Sequence, residues 1–141
     1  AVSIAASFAC TIQIQESLLD LLFVGTQAYC FTAGRGLAHA DQMLEILASV
    51  TVCGDKSFRA IEPLVVDRVS SLSGCICVLL AWDQERRDFI QKLRAIGLPD
   101  LVLVINESGR NPVLDPGPMK DCPQHFHVLK VGEIEQGLAA L

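Results

Sequence analysis

The sequence predicts an α/β protein with an open, three-layer, mostly parallel sheet and one antiparallel hairpin. Two segments, Gly74–Trp82 and Leu101–Asn106, are apolar at nearly every position and alternate along the chain with segments of helical periodicity. A strand that is apolar on both faces is what a parallel sheet covered by helices on both sides requires. Two other short apolar segments, separated by a tight turn at residues 25–27, predict the hairpin. The order αββααβαβ(loop)βα follows, with right-handed connections.

Two helices are predicted around the hairpin in the first half of the chain. Apolar residues that recur every four positions indicate a helix over Val2–Ile12. Nearly continuous apolar character predicts a buried strand over Ser17–Gly25, paired with a second strand over Ala28–Thr32. The next helix is expected over Leu37–Val50. Its predicted buried face consists of Leu37, Ala40, Leu44 and Leu47.

A further helix is predicted over Ser57–Leu72, from another apolar stripe. Pro63 lies inside it, so either the first turns are irregular or the regular helix begins at the proline. After the strand that ends at Trp82, Asp83 is the expected N-cap of the next helix, and Gly97 is expected to end that helix. The predicted apolar face of this helix consists of Phe89, Ile90, Leu93 and Ile96.

The last third of the chain begins with a predicted loop. Residues 107–124 hold four of the six prolines and are expected to form an excursion between strands. The segment His125–Val131 alternates more than the other predicted strands, so we expect it nearer the edge of the sheet. A closing helix is expected over Gly132–Leu141.

Composition places residues 1–141 in a single compact globular domain, since 51% of them are hydrophobic and 19% charged. The net charge of -5, without a Lys/Arg cluster, argues against a nucleic-acid partner. Four of the six cysteines lie in apolar periodic segments, which favours reduced thiols and a cytoplasmic protein. The chain does not start with Met, so we expect a longer protein, whose upstream part could carry a membrane anchor.

The loop Gly34-Arg35-Gly36, between the hairpin and the next helix, has two interpretations. Glycines beside the N–H groups of a helix N-terminus let a phosphate approach, and Arg35 would add a bidentate donor. However, position 39 is His where the dinucleotide fingerprint has its third glycine, and no Gly-Lys-Ser/Thr is present. A plain turn is therefore favoured, and a phosphate site formed by Gly34, Arg35 and Gly36 is the alternative.

Cysteine and histidine side chains form two other candidate sites. Cys122, His125 and His127 could supply three zinc ligands, because the two histidines would share one strand face, but a fourth ligand is not evident. A polar loop is the favoured interpretation of these three residues. Cys75 and Cys77 are two positions apart on a strand and face the same side, which favours core packing over a metal pair.

Several segments of the chain resemble a known family: AVSIAASFA, LDLLFVG, AGRGLAHADQMLEILASV and GCICVLLAWD. Together they resemble the C-terminal part of the bacterial domain-of-unknown-function family fifty-eight, over Ala1–Asn106. Members of that family are similar to von Willebrand factor A domains, with a Rossmann-like fold, and are often encoded beside MoxR-type AAA+ ATPases. The resemblance implies that Gly34–Gly36 is a framework turn near the upper edge of the sheet.

The resemblance also implies that the usual first strand is lacking. A von Willebrand A-type domain holds a divalent cation through an Asp-x-Ser-x-Ser loop after that strand, a threonine loop, and an aspartate after the fourth strand. Only Asp83 matches one of these positions, the last aspartate. Because Mg²⁺ needs several oxygen ligands, Asp83 alone should not bind it, and helix capping explains the residue as well.

The absent strand would lie between the strands Ser17–Gly25 and Gly74–Trp82. We therefore expect these two strands to pair directly, or the chain to form a homodimer. Without a nucleophile–base pair or a complete metal set, the chain is expected to be a non-catalytic protein-interaction module that needs no cofactor. The resemblance implies a MoxR-type AAA+ ATPase as the docked partner. The alternative is a small ligand-binding or enzymatic α/β domain that uses Gly34–Gly36 and Asp83 at one edge of the sheet.

Overall fold

The computed structural model describes residues 1–13, 19–25, 28–33, 37–51, 57–106, 114–139 and 141, with the backbone alone at 12–13, 33 and 37–40. The chain divides into an amino-terminal unit, Ala1–Ser70, and a carboxy-terminal unit, Ser71–Leu141. The first contains an antiparallel hairpin and the second a three-stranded parallel sheet, which confirms the predicted α/β class. The single domain over residues 1–141 stays a prediction. Every helix in the described residues is too short or too weakly apolar to cross a membrane.

The amino-terminal unit begins with two helices and a hairpin. In chain order these elements are α1 (Val2–Gln13), β1 (Leu19–Val24), β2 (Ala28–Ala33) and α2 (Leu37–Ser49). β1 and β2 pair antiparallel from Leu19 opposite Ala33 to Val24 opposite Ala28, which confirms the predicted hairpin. Both helices and the hairpin contribute to one core, formed by buried Ala9, Met43 and Leu47 and by partly buried Ala5, Ala6, Leu19, Leu21 and Phe31.

Two predictions for these elements are wrong in detail. β1 is half-buried at every position instead of buried, because a strand in a two-stranded hairpin has only one strand neighbour. α2 buries Met43 and Leu47, an i, i+4 pair, whereas Leu44 is only half-buried. The long, flexible side chain of Met43 is thus buried where the periodicity predicts Leu44.

The segment 57–72 is not the single helix that its apolar stripe predicts. It consists of a 3₁₀-helix at Phe58–Ile61, the short helix α3 (Glu62–Val66) and a 3₁₀ turn at Val69–Ser71. Pro63 lies in the first turn of α3, where its missing N–H would have no helical partner in any case, so the regular part does begin there. The helix ends after five residues, since Arg68 N–H donates to the carbonyl of Val65 at 3.0 Å in the tighter i→i−3 pattern.

The carboxy-terminal unit contains a parallel sheet. Its elements are β3 (Cys75–Leu79), α4 (Gln84–Ala95), β4 (Asp100–Asn106), β5 (Phe126–Lys130) and α5 (Ile134–Ala139). The strands run in the order β3-β4-β5 and both pairings are parallel, so β4 is central and β5 lies at an edge, as predicted. Val102, Leu103 and Val104 of β4 are at most 2% exposed, which fits a strand covered on both faces.

β3 is shorter than the predicted strand Gly74–Trp82. It ends at Leu79, and the next residue, Leu80, is 69% exposed. In the described residues the hairpin and the parallel sheet are separate sheets, each within its own unit. The expected direct pairing of β1 with β3 would join the two units, and it stays a prediction. Homodimerisation, the other expected way to cover the strand, stays a prediction.

Helix α4 begins and ends at the two motifs that the sequence predicts. Asp83 has an extended backbone and accepts the N–H of the third residue after it at 3.0 Å, which is an N-cap. Gly97, with φ +82°, ends the helix, and Leu98 N–H reaches back to a carbonyl of the last turn at 3.2 Å, a Schellman motif. Ile96 is the C-cap residue and is 50% exposed, so its predicted place on the buried face is wrong. The buried residues of the helix are Phe89, Ile90 and Leu93.

The predicted excursion at 107–124 returns to the core of its own unit. Residues 107–113 lie outside the described part of the chain. From residue 114 onward there are two 3₁₀-helices, Gly117–Met119 and Pro123–His125. Met119 is 0% exposed, and Trp82 Nε1–H donates to the carbonyl of Asp115 at 2.8 Å. The segment therefore supplies a core side chain and a long-range hydrogen bond.

Candidate functional site

The candidate phosphate loop, Gly34, Arg35 and Gly36, lies outside the described residues. In the same unit, β2 and α2 form a groove of ≈ 470 Å³, lined by Phe31, Gln42, Glu45, Ile46 and Ser49. Among these lining side chains one is acidic and none is basic, so the groove itself does not attract a phosphate. The phosphate alternative stays a prediction.

Asp83 follows β3 after a short connection, and local contacts engage its carboxylate. It accepts the backbone N–H of Arg86 at 3.0 Å and forms an ion pair with the guanidinium of the same residue. The helix N-terminus and the arginine both supply positive charge, which opposes the approach of a divalent cation. The capping interpretation of Asp83 is thus the one that its contacts support.

The three residues predicted as zinc ligands have separate contacts. Cys122 Sγ accepts from Nη2 of Arg94 at 3.4 Å, and His127 Nε2 lies 2.8 Å from the carbonyl oxygen of Gln124. His125 ends a 3₁₀-helix before β5, so the expectation that both histidines share a strand face is wrong. In the part of the chain that the structure describes, no three or more His, Cys, Asp and Glu side chains form a group that could hold a metal ion.

The structure brings together a different set of side chains at the amino ends of the parallel strands. We call it the sulfur cluster; its members are Cys75, Cys77, Arg94, Asp100, Met119 and Cys122. Cys75 and Asp100 are the first residues of β3 and β4 and are register partners. Paired residues of adjacent parallel strands face the same side of the sheet, so the thiol and the carboxyl share one face.

Cys75 and Cys77 have adjacent sulfur atoms, with 3.2 Å between their Sγ atoms. Both therefore face the same side of β3, as predicted. Cys75 is partly accessible, whereas Cys77 is 7% exposed. A hydrogen bond from Cys77 lowers the pKa of the Cys75 thiol, and the same bond, together with burial, raises the pKa of Cys77 well above its ordinary value. Of the two sulfurs, Cys75 is thus the one on which a thiolate is favoured.

Arg94 of α4 connects the remaining members of the cluster. Its Nη1 lies 3.4 Å from Asp100 Oδ1 and 3.5 Å from Met119 Sδ, and its Nη2 donates to Cys122. The Asp100 side chain is 4% exposed, and burial raises its pKa even though the Arg94 charge acts in the opposite direction. Asp100 Oδ2 is buried and has no hydrogen-bond partner within the described residues.

The sequence pattern places Cys122 in a different candidate site from Cys75 and Cys77, and it does not indicate Arg94 or Asp100. One sequence feature could have revealed the pair, because Asp100 directly precedes the apolar strand Leu101–Asn106 and follows Arg94 by six residues. A carboxyl at the start of a buried strand needs a partner of this kind. The contacts of Arg94 with Met119 and Cys122 span 25 and 28 positions, and no local pattern encodes them.

The outer edge of β3 is a second candidate site, of a different kind. Within the described residues of the carboxy-terminal unit, β3 pairs with β4 on one side and with no strand on the other. Ile76 is 38% exposed and Leu80 is 69% exposed, so the edge strand and the residue just after it present two large apolar side chains to solvent. An unpaired strand edge with exposed apolar residues is a template for pairing with another chain.

Comparisons of the chain with protein-family models, with curated proteins and with solved structures find no match. The resemblance to family fifty-eight accordingly stays a prediction. The geometry of the β3 edge and of the sulfur cluster is what bears on function.

Proposed function

We propose that this chain is a non-catalytic α/β protein-interaction module, similar to von Willebrand A-like domains, that docks a partner at the outer edge of β3. The observation that carries the proposal is the open edge of this strand within the described residues of the carboxy-terminal unit. Ile76 and Leu80 add exposed apolar surface next to it. Natural proteins usually cover or charge such an edge, and an edge left open in this way is suited to a partner.

Strand addition is the docking mode that this edge favours. An extended segment of the partner would complete the main-chain hydrogen bonds on the free side of β3, which provides affinity. Alternate side chains of that segment would then contact the two sheet faces, one of which presents Ile76. Leu80, just beyond the strand, would extend the apolar contact. A partner segment with apolar residues at alternate positions therefore fits best.

Docking at this edge would not depend on a cation. Von Willebrand A-type domains dock through a metal that an aspartate in the position of Asp83 helps to hold. In this chain the contacts of Asp83 with the α4 N-terminus and with Arg86 support a capping role. We therefore expect the chain to bind its partner equally well with Mg²⁺ and with a chelator.

The resemblance favours a MoxR-type AAA+ ATPase as the partner, and the cysteines in apolar segments favour the cytoplasm as the compartment. A second copy of this chain is the competing partner, since two open β3 edges could pair with each other about a two-fold axis. The two partners differ in a measurable way. Self-association depends on the concentration of the chain alone, whereas docking requires the ATPase.

Binding of the chain to a purified MoxR-type AAA+ ATPase, measured by biolayer interferometry, tests the proposal. Ile76→Lys and Leu80→Lys each place a charge at the edge, and both should abolish binding because charged side chains block strand pairing. Val128→Lys is the matched control: Val128 is 41% exposed on the opposite edge strand, β5, and its replacement should leave binding unchanged.

Three results would contradict the proposal. One is equal binding of all three lysine variants, because docking would then occur elsewhere. Another is loss of binding on chelation, which would restore the metal-dependent mode. The third is a folded chain that binds neither the ATPase nor a second copy of itself in multi-angle light scattering.

A further inference from the structure

Cys75 and Cys77 form a pair of converging thiols that the docking function does not use. Their sulfurs lie 3.2 Å apart on the face of β3 opposite to Ile76. The two thiols differ in solvent exposure, since Cys75 is partly exposed and Cys77 is buried. Two thiols in contact can form a disulfide or hold a thiophilic ion between them, and the strand geometry discriminates between these outcomes.

A disulfide fits poorly at this position. Cα atoms two residues apart in a strand are about 6.6 Å apart, near the upper limit for a disulfide, and their Cβ atoms are farther apart than the required ~3.8 Å. Closing the bond would therefore need the strand to contract. The ladder to β4 resists such a contraction, because Cys75 pairs with Asp100 and Cys77 with Val102.

A bridging ion avoids this contraction. At a thiolate–metal distance of about 2.3 Å, two sulfurs on one ion are up to about 4.6 Å apart in a linear arrangement. The sulfurs of Cys75 and Cys77 reach that separation from 3.2 Å by side-chain rotation, without backbone movement. Chelation is therefore compatible with an intact β3.

The donor set selects the kind of ion. Thiolates favour soft metals such as Cu(I), whereas Zn²⁺ in structural sites takes four ligands. The described residues contain no group of three or more His, Cys, Asp and Glu side chains suited to a metal. Cu(I) accepts two sulfurs alone, so two thiols without further ligands match it.

The charges around the pair are also compatible with this ion. Asp100 is the register partner of Cys75, and its carboxylate charge would repel a thiolate on that cysteine. Arg94 lies 3.4 Å from Asp100 Oδ1, and its positive charge offsets the charge of the carboxylate. A cation that binds between the two sulfurs would displace the protons of both thiols. Entry from solvent begins at Cys75, the more accessible sulfur.

We propose that Cys75 and Cys77 form a two-coordinate thiolate site for a soft monovalent cation, Cu(I). The cation bridges the two sulfurs on one face of β3 and leaves the outer edge of the strand free. Two protons are released when both thiols coordinate, and no electron transfer takes place. The site is thus independent of the proposed docking surface.

Competition with a chromophoric Cu(I) chelator tests the site on the full, reduced chain without oxygen. The chain should withdraw a single Cu(I) from the chelator, and X-ray absorption should show two sulfur neighbours only. Cys75→Ala and Cys77→Ala should each lose the ion. Cys10→Ala and Cys30→Ala are matched controls on the other unit and should retain it, since Cys10 is exposed and Cys30 partly exposed.

Circular dichroism shows which of the cysteine variants are folded. Cys75 is partly accessible, so Cys75→Ala should stay folded. This variant therefore tests whether the thiol pair binds Cu(I), even if Cys77→Ala unfolds. The proposal is overturned if Cys75→Ala keeps the ion, if the wild-type chain withdraws none from the chelator, or if nitrogen or oxygen ligands appear in the absorption spectrum. It is equally overturned if Zn²⁺ displaces Cu(I) at equal concentration.

Discussion

Strands β1 and β4 are similarly apolar, yet they differ in burial. β1, LDLLFV, is half-buried at all six positions, whereas β4, DLVLVIN, has five buried residues among seven. In the described residues of its unit each strand of the hairpin has a single neighbour, while β4 has β3 on one side and β5 on the other. Burial in this protein therefore follows the number of strand neighbours as much as the hydrophobicity of the residues.

The same contrast extends to the two units. Among the described residues, most of the buried hydrophobic side chains belong to Ser71–Leu141, where helix α4 and the returning Met119 add to the core. The amino-terminal unit has the smaller described core around Met43 and Leu47. We expect the carboxy-terminal unit to be the more sensitive of the two to loss of core volume.

The largest predicted effect tests this contrast with one substitution made in both units. Leu103→Ala removes a side chain that is 0% exposed from the central strand, and it should lower the free energy of unfolding by about 2–5 kcal/mol. Leu21→Ala in half-buried β1 should cost about 1–2 kcal/mol, because less apolar area leaves water there. Urea denaturation followed by circular dichroism measures both values. Equal losses would show that the hairpin is as well packed as the parallel sheet.

The sequence predicts the parts of the fold that depend on neighbouring residues. The parallel strands follow from continuous apolar runs, the N-cap from Asp83, and the end of α4 from Gly97. The sequence predicts the division of the segment 57–72 only in part, because Pro63 shows where a helix can begin but not how soon it ends. The buried face of α2 also differs from the prediction, since Met43 is buried and Leu44 is only half-buried.

The parts that escaped prediction depend on contacts between distant residues. Met119 lies in a proline-rich loop, and only the folded chain shows that it is buried. Arg94 reaches Asp100 within six positions but meets Cys122 across 28. The candidate zinc ligands looked close in sequence, yet Cys122 and His127 contact different partners. Sequence proximity is thus a poor guide to a shared site where a 3₁₀-helix intervenes.

The next effect is a pH dependence that arises from the burial of Asp100. Its pKa is raised in the folded state, so the unfolded chain releases this proton first as the pH increases. The contribution of Asp100 to stability therefore falls as the pH rises from the ordinary aspartate value of about 4 through the raised folded value, and is unchanged below that range. Asp100→Asn should abolish this fall, which thermal unfolding at a series of pH values measures.

Asp115→Asn is the matched control for the sign of this effect. The pKa of Asp115 is lowered, first by the backbone N–H of Gly117 and then by Lys120, so its charged form favours the folded state. Stability conferred by Asp115 is present above the ordinary aspartate pKa and is lost as the pH falls through the lowered value. A wild-type curve that rises with pH relative to Asp100→Asn would contradict the role assigned to burial.

The smallest predicted effect compares the helix caps of the two units. Asp83 caps the 12-residue helix α4, and Asp83→Ala should cost about 1 kcal/mol, as expected for an α-helix N-cap. Ser57 caps a four-residue 3₁₀-helix through a hydrogen bond to Arg59 N–H at 3.2 Å, and Ser57→Ala should cost less, about 0.5 kcal/mol. Asp83→Asn retains a capping oxygen without the charge and should recover most of the loss. If Asp83→Asn is instead as unstable as Asp83→Ala, the ion pair with Arg86, and not the cap, holds this end of α4.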